Sequence, residues 1–356
     1  MKNWKFFSAL LTLLLALALV GCSNTTVNPG TAVSDPNELI QEEVEEVELV
    51  EQFEAVRQVV DSYLSSDQVA GITAEELYQI VKENNSDYLL VDIRANSDFV
   101  NSNINGSLSI PYGETMNKER LETLPKDKTL VIIDYNGHQS GQTAATWNLL
   151  GYKAVPLLYG MQSWTSEIAP IGYEALPAQP LQQPLAKEGF LPQSEFDQPE
   201  IKYPEGKTEE YIYTAAKTYL DRNYKGLISA EELQDALAKD SQDYFLVDVR
   251  DARHYEQGHI SGSINIPLQE LGDSGHLKAL PLDQKIVLIG YNGVDASLGV
   301  RSLITLGYDA VALKYGMSYW SGQSEAGIIP INQVQKDYPL TPLNYVQPST
   351  EAAGCG

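Results

Sequence analysis

Two cysteines, four histidines and a repeated acid–arginine dyad are the residues of this chain with chemistry to offer, and their placing limits what they can do. Cys22 and Cys355 stand almost at opposite ends, outside any stretch that reads as a domain core. None of the usual metal-ligand spacings occurs among the histidines and cysteines, so neither a metal nor a cofactor is expected. Asp92-x-Arg94 and Asp248-x-Arg250 close apolar runs, where an unpaired charge would be costly. They read as ion pairs that hold neighbouring loops, not as catalytic groups. Two loops follow further apolar runs and open into helical stretches. One is Asp134-Tyr135-Asn136-Gly137-His138-Gln139-Ser140; the other is Gly290-Tyr291-Asn292-Gly293-Val294-Asp295-Ala296. A carboxylate at a helix start is stabilising without any substrate, so Asp134 reads as a loop cap. His138 has the chemistry of a proton shuttle but no nucleophile beside it, and is expected to be a surface loop histidine.

The elements that carry these residues come in two copies. Asp92 in "LLVDIR" has its twin at Asp248 in "FLVDVR", 156 positions later. The same spacing joins Thr73 to Ser229, Gly106 to Gly262, Pro111 to Pro267, Tyr135 to Tyr291, Gly151 to Gly307 and Trp164 to Trp320, without a gap. Such a period is the size of a small domain plus linker. Each copy opens with a capping box, Thr73-Ala-Glu-Glu76 or Ser229-Ala-Glu-Glu232. Short apolar runs at 88–91, 130–133 and 154–158, and at 244–247, 286–289 and 310–313, read as strands buried on both faces. Helical stretches at 140–150 and 296–306 end at Gly151 and Gly307. The expectation is an α/β chain of two tandem domains, each an open, mostly parallel sheet with helices on both faces. The domains are placed at 67–170 and at 208–330, the latter with a preceding helix at 209–224. A Pro/Gln-rich linker spans 171–207 and a tail 331–356. The stretch 38–66, acidic with apolar residues near helical spacing, reads as an amphipathic helix packed on the first domain, after a polar tether from residue 23.

At this point both copies resemble rhodanese domains, the sulfurtransferase fold. In the second copy, "VDVRDARHYEQGHISGSINIP" follows that family's first signature, with Asp248, Arg250, Tyr255, Gly258, His259, Gly262, Asn265 and Pro267 in place. The first copy keeps Asp92, Arg94, Phe99, Gly106 and Pro111 but has Ser102-Asn103 where Gly-His is usual. "LLGYKAVPLLYGMQSW" and "TLGYDAVALKYGMSYW" are similar to the second signature. The resemblance gives His259 a structural role. It also implies that each loop begins where an active rhodanese has its persulfide-forming cysteine, cradled by backbone amides at a helix N-terminus. Asp134 and Gly290 fill that position here, and Gln139 and Asp295 stand where the loop arginine is usual. Gly290 is expected to leave its cradle open and water-filled.

The first 22 residues, with Lys2, Lys5 and an apolar run at 6–20, read as an export signal. Leu19-Val20-Gly21-Cys22 resembles a bacterial lipobox, which implies a lipid on Cys22 and attachment to the extracytoplasmic face of the cell membrane. A net charge of −24 argues against nucleic acid as a partner. The functional expectation is a lipid-anchored module of two catalytically silent rhodanese-like domains that binds or scaffolds a protein partner. The alternatives are a sulfur-handling, thiosulfate sulfurtransferase-like enzyme that works through Cys355 or a partner, and a receptor for a small anion at the Gly290 loop.

Overall fold

A computed structural model describes residues 51–341, apart from 168–170, 173, 191–193, 225, 240 and 325–326. Cys22 and Cys355, with the signal and lipobox, lie outside these residues. The first repeat holds α2 (Ala74–Glu83), β1 (Tyr88–Asp92), α3 (Asn96–Asn101), β2 (Leu108–Ser109), α4 (Lys118–Thr123), β3 (Thr129–Ile133), α5 (His138–Leu149), β4 (Lys153–Pro156) and α6 (Met161–Trp164). Helix α1, described over 51–64, precedes it. After α7 (Thr208–Asp221) the second repeat runs β5 (Leu227–Ile228), α8 (Ala230–Ala238), β6 (Tyr244–Asp248), α9 (Ala252–Gln257), β7 (Ile264–Asn265), α10 (Ser274–Leu277), β8 (Lys285–Ile289), α11 (Val294–Thr305), β9 (Ala310–Leu313) and α12 (Gly316–Trp320).

The sheets are parallel throughout, in the orders β2-β1-β3-β4 and β5-β9-β8-β6-β7. In the first repeat a parallel bridge from Ile72 to Leu157 stands where the second has β5. The strands are aliphatic on both faces because both are covered. In β3, Leu130 and Ile132 face one core while Val131 and Ile133 face another. In β8, Ile286 and Leu288 join the same core as Leu130 and Ile132, and Val287 and Ile289 turn to a separate one. A single apolar core therefore runs from one sheet to the other through α5 and α11. The Thr73 capping box forms with both of its hydrogen bonds, and Ser229 caps α8 through the Glu232 amide.

The repeats meet about a pseudo-twofold axis, seen in paired contacts at the 156-residue spacing. Tyr213 of α7 donates to Met116 O at 2.7 Å, and its counterpart Arg57 of α1 donates to Gly272 O at 2.8 Å. Helix α1 thus reaches the second repeat, beyond the first-domain packing that its sequence suggests, and Gly272 lets the backbone at Asp61 approach.

The segments that follow each repeat are exchanged. In the linker, Leu181 and Gln183 donate their amides to Tyr319 O and Trp320 O, and Ala186 pairs antiparallel with His259. All three acceptors belong to the second repeat. In the described part of the C-terminal tail, Lys336 and Tyr338 donate to Ser163 O and Trp164 O, and Thr341 pairs with Asn103, all in the first. The Tyr338 ring stacks on Tyr78 at 4.3 Å and tilts against Trp164 at 5.1 Å.

One continuous core and two exchanged straps predict that both repeats unfold together. Tyr338→Ala should lower the stability of the whole molecule by about 2 kcal/mol, the worth of its two aromatic contacts. Calorimetry should give one transition for the parent; a first repeat that melts separately in the parent would show that core and straps do not couple the two repeats.

Candidate functional site

Each loop begins at the carboxyl end of a central strand, β3 or β8, and turns into the helix that the opposite repeat packs against. Parallel α/β sheets present their ligand sites at this edge. Gly137 and Gly293 sit at φ +92° and +81°, where a side chain would strain the turn. Space demands glycine there as well. A Cβ on Gly137 would strike Val294 and the Tyr159 amide, and one on Gly293 would strike His138 and the Tyr315 amide.

Asp134 is fully buried and does what its position suggests. Its carboxylate accepts from the amides of Gly137 at 2.6 Å and Gln139 at 2.8 Å, and from the Ser140 hydroxyl at 3.0 Å. The donors favour the charged form, but burial outweighs them and pushes its pKa up to about 6.

In the second loop the cradle is not open. Asp295 folds back so that Oδ2 accepts from the Tyr291 amide at 2.6 Å, and a Cβ on Gly290 would overlap its carboxylate. Burial raises the Asp295 pKa too. The expectation of a water-filled cavity at Gly290 is corrected, and the anion-receptor reading of that loop loses its basis: the negative charge is already supplied by the residue five positions on.

His138 is not a surface residue. It is wholly buried against the other repeat, where Nε2 accepts from the Tyr315 amide at 3.2 Å. Nδ1 therefore carries the proton and donates to Ser297 Oγ at 3.0 Å, while that hydroxyl donates on to Gly293 O. Burial, with the field of Lys314, depresses its pKa to about 3. The misplacement has a plain cause: the partners of His138 are 159 to 177 residues away, and loop position by itself says nothing of a facing domain. Its counterpart Val294 packs on Gly137 and Gly141.

Two tyrosines complete the closure and were not singled out by sequence reasoning. Tyr159 and Tyr315, both buried, hold φ +60° and +59°, a conformation that costs a bulky residue energy and marks a constrained site. Tyr315 donates to Gln162 of the opposite repeat at 3.1 Å, and Tyr159 reaches Ser318, the residue equivalent to Gln162. Their place in the repeated Tyr-Gly-Met was the available signal.

The acid–arginine dyads are fully buried ion pairs, Arg94 to Asp92 at 2.8 Å and Arg250 to Asp248 at 2.6 Å. Each arginine also donates to a loop carbonyl, Ser102 O or Gly258 O. His259 stacks on Tyr255, with Nδ1 on Tyr255 O and Nε2 on Glu188 O. No group of metal-ligating side chains occurs among the described residues.

The rhodanese-like domain model matches residues 73–167 and 229–323, more than half of the chain, which therefore belongs to the rhodanese-like family, with two tandem domains. The thiosulfate sulfurtransferase GlpE of Shewanella oneidensis is 28% identical over 99 residues, covering 28% of this chain and 93% of that protein. The protein of the same name from Pseudomonas fluorescens is 30% identical over 88 residues, covering 24% and 79%. Among solved structures, thiosulfate sulfurtransferase from Pseudomonas aeruginosa matches 81% of this chain and 48% of its own, at 16% identity and a TM-score of 0.27. A rhodanese-like domain protein from Staphylococcus aureus matches 26% and 89%, at 28% identity and a TM-score of 0.25.

The two buried groups at the loops predict opposing pH dependences. Between about pH 4 and 6 folded Asp134 keeps a proton that the unfolded chain has released, so its contribution falls as pH rises. Two pH units at about 1.4 kcal/mol each make this on the order of 3 kcal/mol. His138 acts in the other sense: the unfolded imidazole takes a proton below its ordinary 6.5 while the folded one stays neutral down to about 3, so stability is lost as pH falls. In urea unfolding from pH 4 to 7, Asp134→Asn should be stabilised by rising pH relative to the parent, and His138→Gln destabilised. Three parallel curves would refute both assignments.

Proposed function

We propose that this protein is a lipid-anchored, extracytoplasmic binding or scaffolding module whose rhodanese-like domains carry out no sulfur transfer. The observation that carries this reading is the occupation of both loops by carboxylates of the chain itself, Asp134 and Asp295. A persulfide-forming site needs a thiolate among those amides. Here an anion that cannot accept sulfane sulfur already holds them. His138 and the tyrosine pair support the same reading, because they close the loops against each other and leave the outer surfaces for contact with a protein partner. Nucleic acid is disfavoured by the charge of −24.

The full-length chain in detergent should turn over thiosulfate and cyanide no faster than buffer. Asp134→Cys by itself should restore little, since Gln139 stands at the arginine position. Gly290→Cys should be destabilised by the Asp295 carboxylate, and Gly290→Cys/Asp295→Arg should recover more activity than either loop repaired singly. The competing reading takes its substrate from the relatives named thiosulfate sulfurtransferase and its thiol from Cys355. Parent turnover that vanishes in Cys355→Ser would establish it and overturn the module.

Anchoring rests on the charge, apolar run and lipobox-like cysteine of residues 1–22. Among the described residues no helix is long and apolar enough to cross a membrane. Cys22→Ala should shift the protein expressed in a bacterium from the membrane to the soluble fraction and abolish incorporation of labelled palmitate. An unchanged distribution with no label in the parent would remove the anchor.

A further inference from the structure

The two repeats build the same hollow twice, between the N-terminus of α2 or α8 and the turn that follows β4 or β9. Thr73, Ala74, Glu75, Leu158, Tyr159 and Ser163 line one, and their counterparts at the 156-residue spacing, Ser229, Ala230, Glu231, Lys314, Tyr315 and Tyr319, line the other. The backbones match: Thr73 and Ser229 hold φ −76° and −74°, and Tyr159 and Tyr315 hold +60° and +59°. The side chains do not.

In the second repeat the hollow is filled from within. The Tyr319 hydroxyl donates to Glu231 at 2.6 Å, Lys314 pairs with Glu174 of the linker, and about 220 Å³ remains. In the first repeat Ser163 replaces the tyrosine and turns its hydroxyl onto the carbonyls of Leu158 and Gly160. Leu158 itself replaces the lysine. Glu174 stands seven residues before Leu181, whose amide meets Tyr319 O; seven before Lys336, whose amide meets Ser163 O, stands Ile329. An ion pair has become two aliphatic side chains, and Ile329 is 59% exposed, more than any other large apolar residue among those described. The result is a pocket of about 360 Å³ that neither Asp134, Gly290 nor Asp295 lines. Glu75 keeps the carboxylate of Glu231 but has no hydrogen bond or ion pair among the described residues.

What the first hollow lacks, relative to its twin, is a ring with a donor at its tip. Aliphatic walls favour an aromatic body, and a carboxylate favours a hydroxyl that donates to it. An ammonium in the place of Lys314 would find no second carboxylate, and Lys336 at the same pocket would repel it. The volume is near the low end of ligand pockets and suits a single ring. One aromatic anchor in a small pocket, with an exposed isoleucine beside it to be covered, is the arrangement by which protein partners hold each other.

We propose that this pocket receives a tyrosine side chain of a partner protein, whose ring takes the place that Tyr319 fills in the twin and whose hydroxyl donates to Glu75. The proposal rests on the reading of the protein as a binding module and names the anchor through which it binds.

The probe is N-acetyltyrosinamide, titrated to tens of millimolar into the full-length chain in detergent and followed by NMR at the Ile329 methyl groups. The parent should show a saturable shift. N-acetylphenylalaninamide, which lacks the hydroxyl, should bind about threefold to tenfold more weakly, and Glu75→Ala should bind the two compounds equally. Ser163→Tyr, which gives the first repeat the residue of its twin, should fill the pocket and abolish the response in a folded protein. No saturable shift in the parent, equal affinity of the parent for both compounds, or an undiminished response in Ser163→Tyr overturns the proposal. If Ser163→Tyr does not fold, the comparison of the two compounds in the parent and Glu75→Ala decides. Thiosulfate turnover judges the module separately: a parent silent in turnover that does not take the probe loses this site and keeps the module.

Discussion

The close contact between α5 and α11 is the constraint on which the remaining structure depends. The N-termini of these helices meet across the pseudo-twofold, and they can do so only because Gly137, Gly293 and Gly141 present no side chain where the other repeat's backbone and side chains pass. Once the helices touch, the cores of the two sheets become one, and each loop is roofed by residues of the opposite repeat. An exposed loop at a strand end is a site for visiting ligands. A loop pressed against its own twin must settle its amides internally, and Asp134 and Asp295 do this from different positions in the loop with the same chemical group.

Much of the architecture was legible in the sequence because it rests on short-range signals. Aliphatic runs such as Leu130–Ile133 and Ile286–Ile289 specify strands buried on both sides, capping hydroxyls at Thr73 and Ser229 mark helix starts, and the unbroken 156-residue period reveals the duplication. The cap at Asp134 was legible for the same reason, as its partners lie within six residues. What the sequence hid belongs to the joint. Helix α5 carries Gln142, Thr143, Thr146 and Asn148, all of them polar and buried, beside His138, which was expected at the surface. Hydrophobicity patterns assume that polar side chains seek water; here His138 and Thr146 find partners on the second repeat, far away in sequence. The Asp295 side chain escaped notice because absence of a side chain at Gly290 suggested a vacancy, and a neighbouring residue used the space.

The two halves of the joint are no longer equivalent. His138 faces Val294, and Ala145 faces Arg301 across the repeat relation, so polar and charged groups have accumulated in complementary places. Neither half can be exchanged for the other, and a contact of two copies of the first repeat would put Gly141 where His138 meets the Ser297 hydroxyl. Duplication supplied the symmetry, and these substitutions specify which repeat pairs with which.

The exchanged straps impose an order on synthesis. The first repeat is complete on its own sheet by Trp164, yet the segment that binds Ser163, Trp164 and Asn103 is the last described part of the chain, ending at Thr341. Until the whole second repeat has been made, the first repeat therefore lacks the segment that covers Tyr78 and Trp164. The second repeat, whose strap precedes it, has no such wait. The first repeat thus receives its last contacts from residues that lie beyond the entire second repeat, so its completion is tied to that of the whole molecule.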